Sequence, residues 1–388
     1  MLRPLIGKLV PAALVVASTT VAVLLAEVAL RFAVNPADFL HATLVEDPVL
    51  GQRIQPLTTG HDALGFRNRE VPQHADIVAI GDSNTYGVSA PREGSWPHQL
   101  SGLLGESVYN MGLGGFGPLQ YLHLAQVTAK PLRPRLWVVG FYFGNDLMDA
   151  YYVAHGQSHW RAWRQSTPDT AGGVVHDDAR NKEVPAKRFG ALRDWLARKS
   201  VLYSVLRATV FERLASQERD QIVRRSAPDV RWAWTDPAKA DVHTVFTPQG
   251  RLSALDLDNP RVREGLQISQ RALAALQAEA DLQGVRMLTV LIPTKERAYC
   301  AYLEATRAVL PISHARLCQA ESRAKGELVR FLQDQRVAHI DVTGALEAKI
   351  GQHVQLYPAD SDGHLQSTGY GVVAQAIAQA IRQHAPKP

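Results

Sequence analysis

The feature that most constrains the fold of this chain is a repeated alternation of short apolar segments with segments of helical spacing. Five apolar segments, beginning near residues 76, 107, 135, 286 and 337, have the length and composition of buried strands. Strands that alternate with helices along a chain pair in a parallel sheet, and the helices cover both faces. The sequence therefore predicts a three-layer α/β/α domain built on a five-stranded parallel sheet.

Two segments fall outside this alternation and define the rest of the organisation. Residues 34–74 are rich in Pro, Asp and Gly, which predicts an irregular linker and N-terminal extension. A second segment, from about 150 to 260, follows the third strand without a strand–helix rhythm, and its helix-prone part near 187–222 predicts a helical insertion. We expect the α/β domain to span 75–388, with this insertion beside the edge of the sheet that holds the active site.

The N-terminal segment predicts the compartment. Leu9–Ala26 has eighteen residues without a charge, and as a helix it would span roughly 27 Å, close to the hydrocarbon thickness of a bilayer. Arg3 and Lys8 precede it, which favours a cytoplasmic N-terminus. A cleaved signal peptide requires an Ala-x-Ala site and a lipoprotein a Cys after the run, and neither occurs here. We expect residues 1–33 to be an uncleaved signal anchor in the inner membrane, with the domain on the periplasmic or extracytoplasmic side.

The charge of the chain gives no support for nucleic acid as a partner. The formal net charge is +5, and residues 187–225 alone carry ten Lys and Arg against four Asp and Glu. The remainder is close to balanced and contains no nucleic-acid-binding motif. A solvated helical surface explains the basic segment. An anionic lipid surface is the alternative, since the anchor would hold the domain near a membrane.

The chain contains two cysteines, Cys300 and Cys318. In an oxidising compartment they could form a disulfide that closes a short loop, and two separate thiols are the alternative. Neither cysteine lies in a metal-ligand pattern.

Polar and glycine residues stand where strands are predicted to end. The four blocks are GDS (81–83), NMGLGG (110–115), GND (144–146) and DSDGHLQSTG (360–369). Because ligands gather at the carboxyl ends of parallel strands, we expect these blocks to meet at one edge of the sheet. The first block alone also fits an ordinary strand-to-helix turn capped by Asp82 or Ser83.

These blocks supply the groups that acyl transfer by a serine requires. Ser83 is a weak nucleophile unless a base takes its proton. His364 could be that base, with Asp362 or Asp360 as its partner. The side-chain amide of Asn145 and a glycine N–H of the second block could stabilise the oxyanion.

Together, the four blocks resemble the SGNH hydrolase superfamily, also called the GDSL esterases. Their context after a transmembrane segment resembles the membrane-anchored bacterial branch of that superfamily. The resemblance covers residues 81–369 and implies a flavodoxin-like α/β/α fold, with the nucleophile at Ser83 and the base at His364. It places the oxyanion donors at the N–H of Ser83, at Gly115 and at Asn145. It implies neither a metal nor an organic cofactor.

Two positions depart from the commonest pattern of the family. Phe143 stands where the family often has a glycine before the asparagine of the third block. Ser361 stands where it often has the aspartate that orients the base. Some branches have that aspartate two residues before the histidine, as in the alginate O-acetylation proteins. Asp362 is therefore the expected partner of His364, and Asp360 is the alternative.

Two further residues are candidates for substrate binding. Lys295, in the segment PTKE after the fourth strand, could contact an anionic substrate. Asp360 is a second candidate if Asp362 orients the base.

We therefore expect a serine esterase or acyl-ester hydrolase that acts on O-acylated envelope carbohydrate or lipid through an acyl-enzyme on Ser83. An O-acetyltransferase of a cell-envelope polysaccharide shares the first half of that reaction and is an alternative. A non-catalytic binding protein on the same fold is the third possibility.

Overall fold

The computed structural model describes residues 3–165, 190–211 and 225–383. These residues form nine strands: β1 (Leu44–Asp47), β2 (Gly51–Ile54), β3 (Ile77–Gly81), β4 (Val108–Gly112), β5 (Leu136–Tyr142), β6 (Trp232–Thr235), β7 (His243–Phe246), β8 (Arg286–Ile292) and β9 (His339–Asp341).

The helices in the same part of the chain are α1 (Arg3–Ala33), α2 (Ser83–Tyr86), α3 (Trp96–Leu104), α4 (Pro118–His123), α5 (Asp146–Gly156), α6 (Gly190–Lys199), α7 (Val201–Leu206), α8 (Pro248–Ser253), α9 (Pro260–Gln283), α10 (Lys295–Ala305), α11 (Ile312–Asp334), α12 (Thr343–Ile350) and α13 (Ser367–Gln383). Short 3₁₀ turns lie at Pro36–Asp38, Arg92–Gly94, Lys130–Leu132 and Ser158–Trp163, and π-helical turns at Leu124–Ala129 and Arg207–Phe211.

The central sheet has five parallel strands in the order β4-β3-β5-β8-β9. Counted along the chain this order is 2-1-3-4-5, which is the flavodoxin-like arrangement. The predicted fold class is therefore confirmed, and each of the five strands lies within a few residues of its predicted position.

Two apolar cores separate the layers. On one face of the sheet α4, α5, α9 and α11 bury their apolar sides. On the other face α3, α10, α12 and α13 do the same. Successive residues of β3 point into opposite cores, with Val78 and Ile80 in the first and Ile77 and Ala79 in the second. This double burial explains why the strands read as continuous apolar runs in the sequence.

Both predicted non-repetitive segments contain strands that the sequence did not reveal. The extension at 34–74 was expected to be irregular, but β1 and β2 form an antiparallel hairpin in it. The insertion was expected to be helical, but β6 and β7 form a second antiparallel hairpin. Strands of four residues give too short a pattern to recognise by alternation alone. Residues 166–189 and 212–224 of the insertion lie outside the described residues, so the basic segment is described only over 190–211.

The N-terminal apolar run is helical, as predicted. Within α1, Ala13–Ala33 has a mean hydropathy of 2.2, and none of this stretch is buried against the rest of the chain. By length and composition it is able to cross a membrane.

Cys300 and Cys318 form a disulfide with their Cα atoms 6.2 Å apart. It joins α10 to α11, which cover opposite faces of the sheet. Of the two alternatives left by the sequence, the structure contains the disulfide.

A layer of three glycines lets α2 lie close to the sheet. Gly112, Gly81 and Gly140 occupy matching register positions on the neighbouring strands β4, β3 and β5. A Cβ atom on Gly81 or Gly140 would lie 2.1 or 2.6 Å from Thr85 Oγ1, and one on Gly112 would lie 2.2 Å from the backbone N of Tyr86. These distances leave no room for a side chain at any of the three positions.

We expect Gly140→Ala to destabilise the protein by about 1–3 kcal/mol, because the new methyl group overlaps Thr85 Oγ1. Thr85→Ala in the same chain should restore most of the lost stability. The next nearest atoms to the new Cβ are at 3.6 and 3.7 Å, and Thr85 Oγ1 has no hydrogen-bond partner to lose. Denaturant unfolding of the full-length chain in detergent measures both effects.

Gly112→Ala provides the matched control. Its added Cβ would meet backbone atoms of α2 at 2.2 and 2.6 Å, so Thr85→Ala should not restore its stability. Two outcomes would contradict the role assigned to these three glycines. One is that Thr85→Ala restores the stability of Gly112→Ala as fully as that of Gly140→Ala. The other is a Gly140→Ala protein as stable as the wild type.

Candidate active site

Ser83 is presented at the carboxyl end of β3 by the short helix α2. The Asp82 carboxylate caps this helix by accepting a hydrogen bond from the Asn84 N–H at 2.9 Å, as the sequence predicted. Gly87 ends the helix with φ +87°, a conformation that glycine adopts readily. The Ser83 side chain is therefore held at the start of α2, at the edge of the sheet.

Ser83, His364 and Asp362 form a continuous hydrogen-bonded chain. The distance from His364 Nε2 to Ser83 Oγ is 2.8 Å, and that from His364 Nδ1 to Asp362 Oδ1 is 2.6 Å. Because a carboxylate only accepts hydrogen bonds, Nδ1 of the neutral imidazole carries the proton and Nε2 is free to accept from the serine hydroxyl. This is the tautomer in which the histidine can take the serine proton. Ser83 Oγ also lies 3.1 Å from Asp82 Oδ2, a longer contact than the one to Nε2.

The Asp362 carboxylate is held in its ionised form. Burial opposes its charge, but hydrogen bonds from the His364 imidazole and the Ser89 hydroxyl outweigh that effect and hold the pKa of Asp362 well below its usual range. Asp360 does not contact the imidazole; its Oδ1 accepts the backbone N–H of Asp362 at 2.9 Å. The geometry thus favours Asp362 over Asp360 as the partner of His364.

The contact between Ser89 and Asp362 was not predicted from the sequence. Its hydroxyl donates to Asp362 Oδ2, and its backbone has φ +65°. A non-glycine residue in this left-handed region is strained, and such residues concentrate at functional sites. No local pattern distinguishes this serine in the sequence, because its partner lies more than 270 positions away.

Lys295 holds the loop that carries Asp362 and His364. Its side chain is fully buried, and Nζ donates to the carbonyl oxygens of Asp362 (2.8 Å), Asp360 (3.0 Å) and Val245 (2.7 Å) and to Thr244 Oγ1 (3.1 Å). Burial lowers the pKa of Lys295 to about 8. These contacts favour a positioning role over the direct substrate contact expected from the sequence.

The glycine-rich loop after β4 borders Ser83. The Leu113 N–H donates to the Gly81 carbonyl at 3.1 Å, and the Phe116 N–H closes a turn onto the Leu113 carbonyl at 3.1 Å. Gly115 has φ +81°, as the third residue of a type II turn requires. Gly114 lies so near that a Cβ on it would be 3.6 Å from Ser83 Cβ.

Within the described part of the chain, no protein acceptor takes the backbone N–H of Ser83 or of Gly115. Both donors are therefore available to an oxygen atom bound beside Ser83.

Asn145 follows β5 and precedes α5. Its Nδ2 donates one hydrogen bond to the Asp149 carboxylate, which orients the amide and leaves its second N–H available. Gly144 lets the backbone of this loop lie against the Tyr142 ring, since a Cβ on it would lie 2.3 Å from that ring. Phe143, the departure from the family pattern, is buried and packs edge-on against Phe141.

Asp146 orders the same loop. Its buried carboxylate accepts from the Tyr142 N–H and the Tyr121 hydroxyl, each at 3.1 Å. Burial, together with the negative charges of Asp82 and Asp149, raises the pKa of Asp146 well above its usual value.

The comparisons with known proteins found similarity only among solved structures, since no family model and no curated protein matches the chain. One similar structure is a catalytic variant of an acetylxylan esterase from Geobacillus stearothermophilus (10% identity, 82% of this chain and 97% of that chain, TM-score 0.37). Another is a GDSL-like lipase from Bacteroides thetaiotaomicron (10% identity, 81% of this chain and 92% of that chain, TM-score 0.34).

Because these TM-scores are below 0.5, the class of this protein depends on its own fold, motifs and site. The flavodoxin-like sheet, the order of the four blocks and the Ser83–His364–Asp362 hydrogen bonds agree with the resemblance to the SGNH (GDSL) hydrolases seen in the sequence.

We expect Asp362→Asn to lower kcat by roughly 10³–10⁴-fold, the scale seen for the carboxylate of serine-hydrolase triads, because the imidazole loses the group that fixes its tautomer. Hydrolysis of p-nitrophenyl acetate by the full-length protein in detergent measures this loss.

Asp360→Asn is the matched control, because it removes the same charge from the same loop. Its amide oxygen can still accept the Asp362 N–H, so we expect less than a tenfold loss. The larger loss in Asp360→Asn would assign the orienting role to Asp360 instead.

Proposed function

We propose that this protein is a serine esterase that cleaves acyl esters through an acyl-enzyme on Ser83. The observation that carries this proposal is the hydrogen-bonded chain from Ser83 through His364 to the ionised Asp362. A structural serine has no need of an imidazole acceptor whose other nitrogen faces a carboxylate.

In the first half of the reaction, Ser83 Oγ attacks the ester carbonyl carbon while its proton moves to His364 Nε2. The resulting imidazolium is stabilised by Asp362, whose lowered pKa keeps it ionised at neutral pH. The C–O bond to the alcohol then breaks, and His364 Nε2 returns the proton to the leaving oxygen.

The negative charge of the tetrahedral intermediate requires hydrogen-bond donors. We assign this role to the free N–H groups of Ser83 and Gly115 and to the second N–H of the Asn145 amide. Fixed donors of this kind contribute mainly when charge has developed on the oxygen, so they stabilise the transition state more than the bound substrate.

In the second half, water attacks the acyl-enzyme with His364 as the base, and Ser83 is released. No step requires a metal or organic cofactor.

We further propose that α1 anchors the esterase domain in the inner membrane, with the domain on the periplasmic side. The end of α1 is joined to the insertion. The Glu27 carboxylate accepts from the Val201 N–H at 3.0 Å, the Leu202 N–H at 2.9 Å and the Ser200 hydroxyl at 2.9 Å. Arg31 pairs with Glu27 at 2.8 Å and donates to the Lys199 carbonyl. An O-acylated carbohydrate or lipid of the cell envelope is the substrate that this placement favours.

Ser83→Ala tests the proposed function. It should lower the rate of p-nitrophenyl acetate hydrolysis by several orders of magnitude, because Ser83 is the hydroxyl that bonds to His364 Nε2. His364→Ala should cost about as much, and the double variant should be no worse than either, since the two groups act as one unit. Half of the wild-type rate in the Ser83→Ala protein would refute the proposal. Acetyl groups recovered on an added sugar rather than as free acetate would assign the protein to the transferases.

The membrane placement is tested by fractionation and protease protection. The full-length protein should sediment with membranes, resist extraction by carbonate and dissolve in detergent. Protease added to intact spheroplasts should digest the domain, while a cytoplasmic marker survives until the cells are lysed. A domain protected in intact spheroplasts would reverse the orientation, and extraction by carbonate would exclude the anchor.

A further inference from the structure

Arg251 is a cation beside the proposed active site that the mechanism does not use. It lies on α8, at the end of the insertion. Lys295, the nearby cation that the sequence singled out, is occupied by four protein oxygens. In contrast, the Arg251 guanidinium makes neither a hydrogen bond nor a salt bridge within the described residues.

The guanidinium lies close to two parts of the proposed active site. Its Nη2 lies 2.7 Å from where a Cβ on Gly363 would stand, and Gly363 separates Asp362 from His364. Its Cζ lies 6.0 Å from the centre of the Tyr142 ring, at the end of β5 and three residues before Asn145. Arg251 therefore lies between the loop with the proposed base and the strand end with a proposed oxyanion donor.

Arginine is protonated at any ordinary pH, so Arg251 carries a positive charge. Tyr142 has the largest effect on its pKa. Burial lowers that pKa, but Tyr142 and the nearby carboxylates of Glu296, Asp362 and Asp82 raise it above the usual value. Each of these carboxylates bonds to another group: Glu296 Oε1 accepts the Thr247 N–H at 2.8 Å, Asp362 binds His364, and Asp82 caps α2. Glu296 Oε2 is buried without a hydrogen-bond partner among the described residues.

The partly buried guanidinium therefore has N–H donors without an acceptor among the described residues. An anionic ligand would supply that acceptor.

We propose that Arg251 binds an anionic group of the substrate, a carboxylate or a phosphate that lies near the scissile ester. A planar guanidinium suits both groups, because two of its N–H donors match two of their oxygens. This inference rests on the proposed esterase function and narrows it to esters of acidic molecules. Arg251 would then set substrate specificity, while Ser83 and His364 carry out the chemistry.

The same contacts that order the His364 loop fix the segment that leads to Arg251. The Val245 N–H donates to the Asp360 carbonyl at 3.3 Å, and the Thr247 N–H binds Glu296 one residue before α8 begins. A ligand held by Arg251 would therefore have a defined position relative to the reacting atoms.

Calorimetric titration of the full-length Ser83→Ala protein in detergent tests this inference without turnover. The probes are an O-acetylated oligogalacturonate (carboxylate), an O-acetylated glucose phosphate (phosphate) and an O-acetylated xylo-oligosaccharide (neutral). We expect at least one anionic probe to bind tenfold or more tighter than the neutral one. The preferred probe identifies the anionic group.

Adding Arg251→Met should remove this preference, and Arg251→Lys should retain part of it. Arg286→Met is the matched control, because it removes the same charge from an exposed residue at the opposite end of the sheet, and it should keep the preference. Equal binding of all three probes, or a preference that survives Arg251→Met, would overturn the proposal. Turnover that persists in Ser83→Ala would instead refute the esterase mechanism, so the two failures are distinguishable.

Discussion

The close approach of α2 to the sheet is the constraint on which the rest of the site depends. A four-residue helix has almost no stability of its own, so its position must come from packing. The glycine layer formed by Gly112, Gly81 and Gly140 lets the Thr85 side chain of α2 rest directly on three adjacent strands. Ser83 is fixed because α2 is fixed. The glycine-rich loop after β4 is fixed too, because the Leu113 N–H donates to the Gly81 carbonyl at the end of β3.

The segment that contains His364 is not fixed by close packing of a helix against the sheet. Residues 351–366 contain no regular helix or strand, so the loop with Asp362 and His364 is held by side chains rather than by a backbone ladder. Lys295 Nζ donates to two carbonyl oxygens of this loop and to two oxygens of β7. The Ser89 hydroxyl, in the turn after α2, donates to the Asp362 carboxylate. The insertion is therefore part of the site, since its hairpin shares the ammonium group that positions the proposed base.

Burial opposes ionisation of the carboxyl groups around Ser83, and it raises the pKa values of Asp82 and Asp146. Asp362 differs, because hydrogen bonds from the His364 imidazole and the Ser89 hydroxyl outweigh burial and lower its pKa. The negative charge of Asp362 lies behind the imidazole, where it would stabilise the imidazolium of the proposed reaction.

Patterns in the sequence predicted the fold class, which the structure confirms, and they also supplied the proposed residues of the site. Parallel strands end at one edge of a sheet, so four polar blocks at predicted strand ends had to meet there, and the structure brings Ser83, His364 and Asp362 together. The choice between Asp362 and Asp360 was open in the sequence, because a loop without periodicity does not reveal which side chain faces the imidazole. In the sequence, Lys295 is a cation after a predicted strand, and Arg251 is one of many basic residues in the insertion. Only the tertiary structure separated them, because the number of oxygens around a cation depends on segments that are 50 or more positions apart and meet only when the chain is folded.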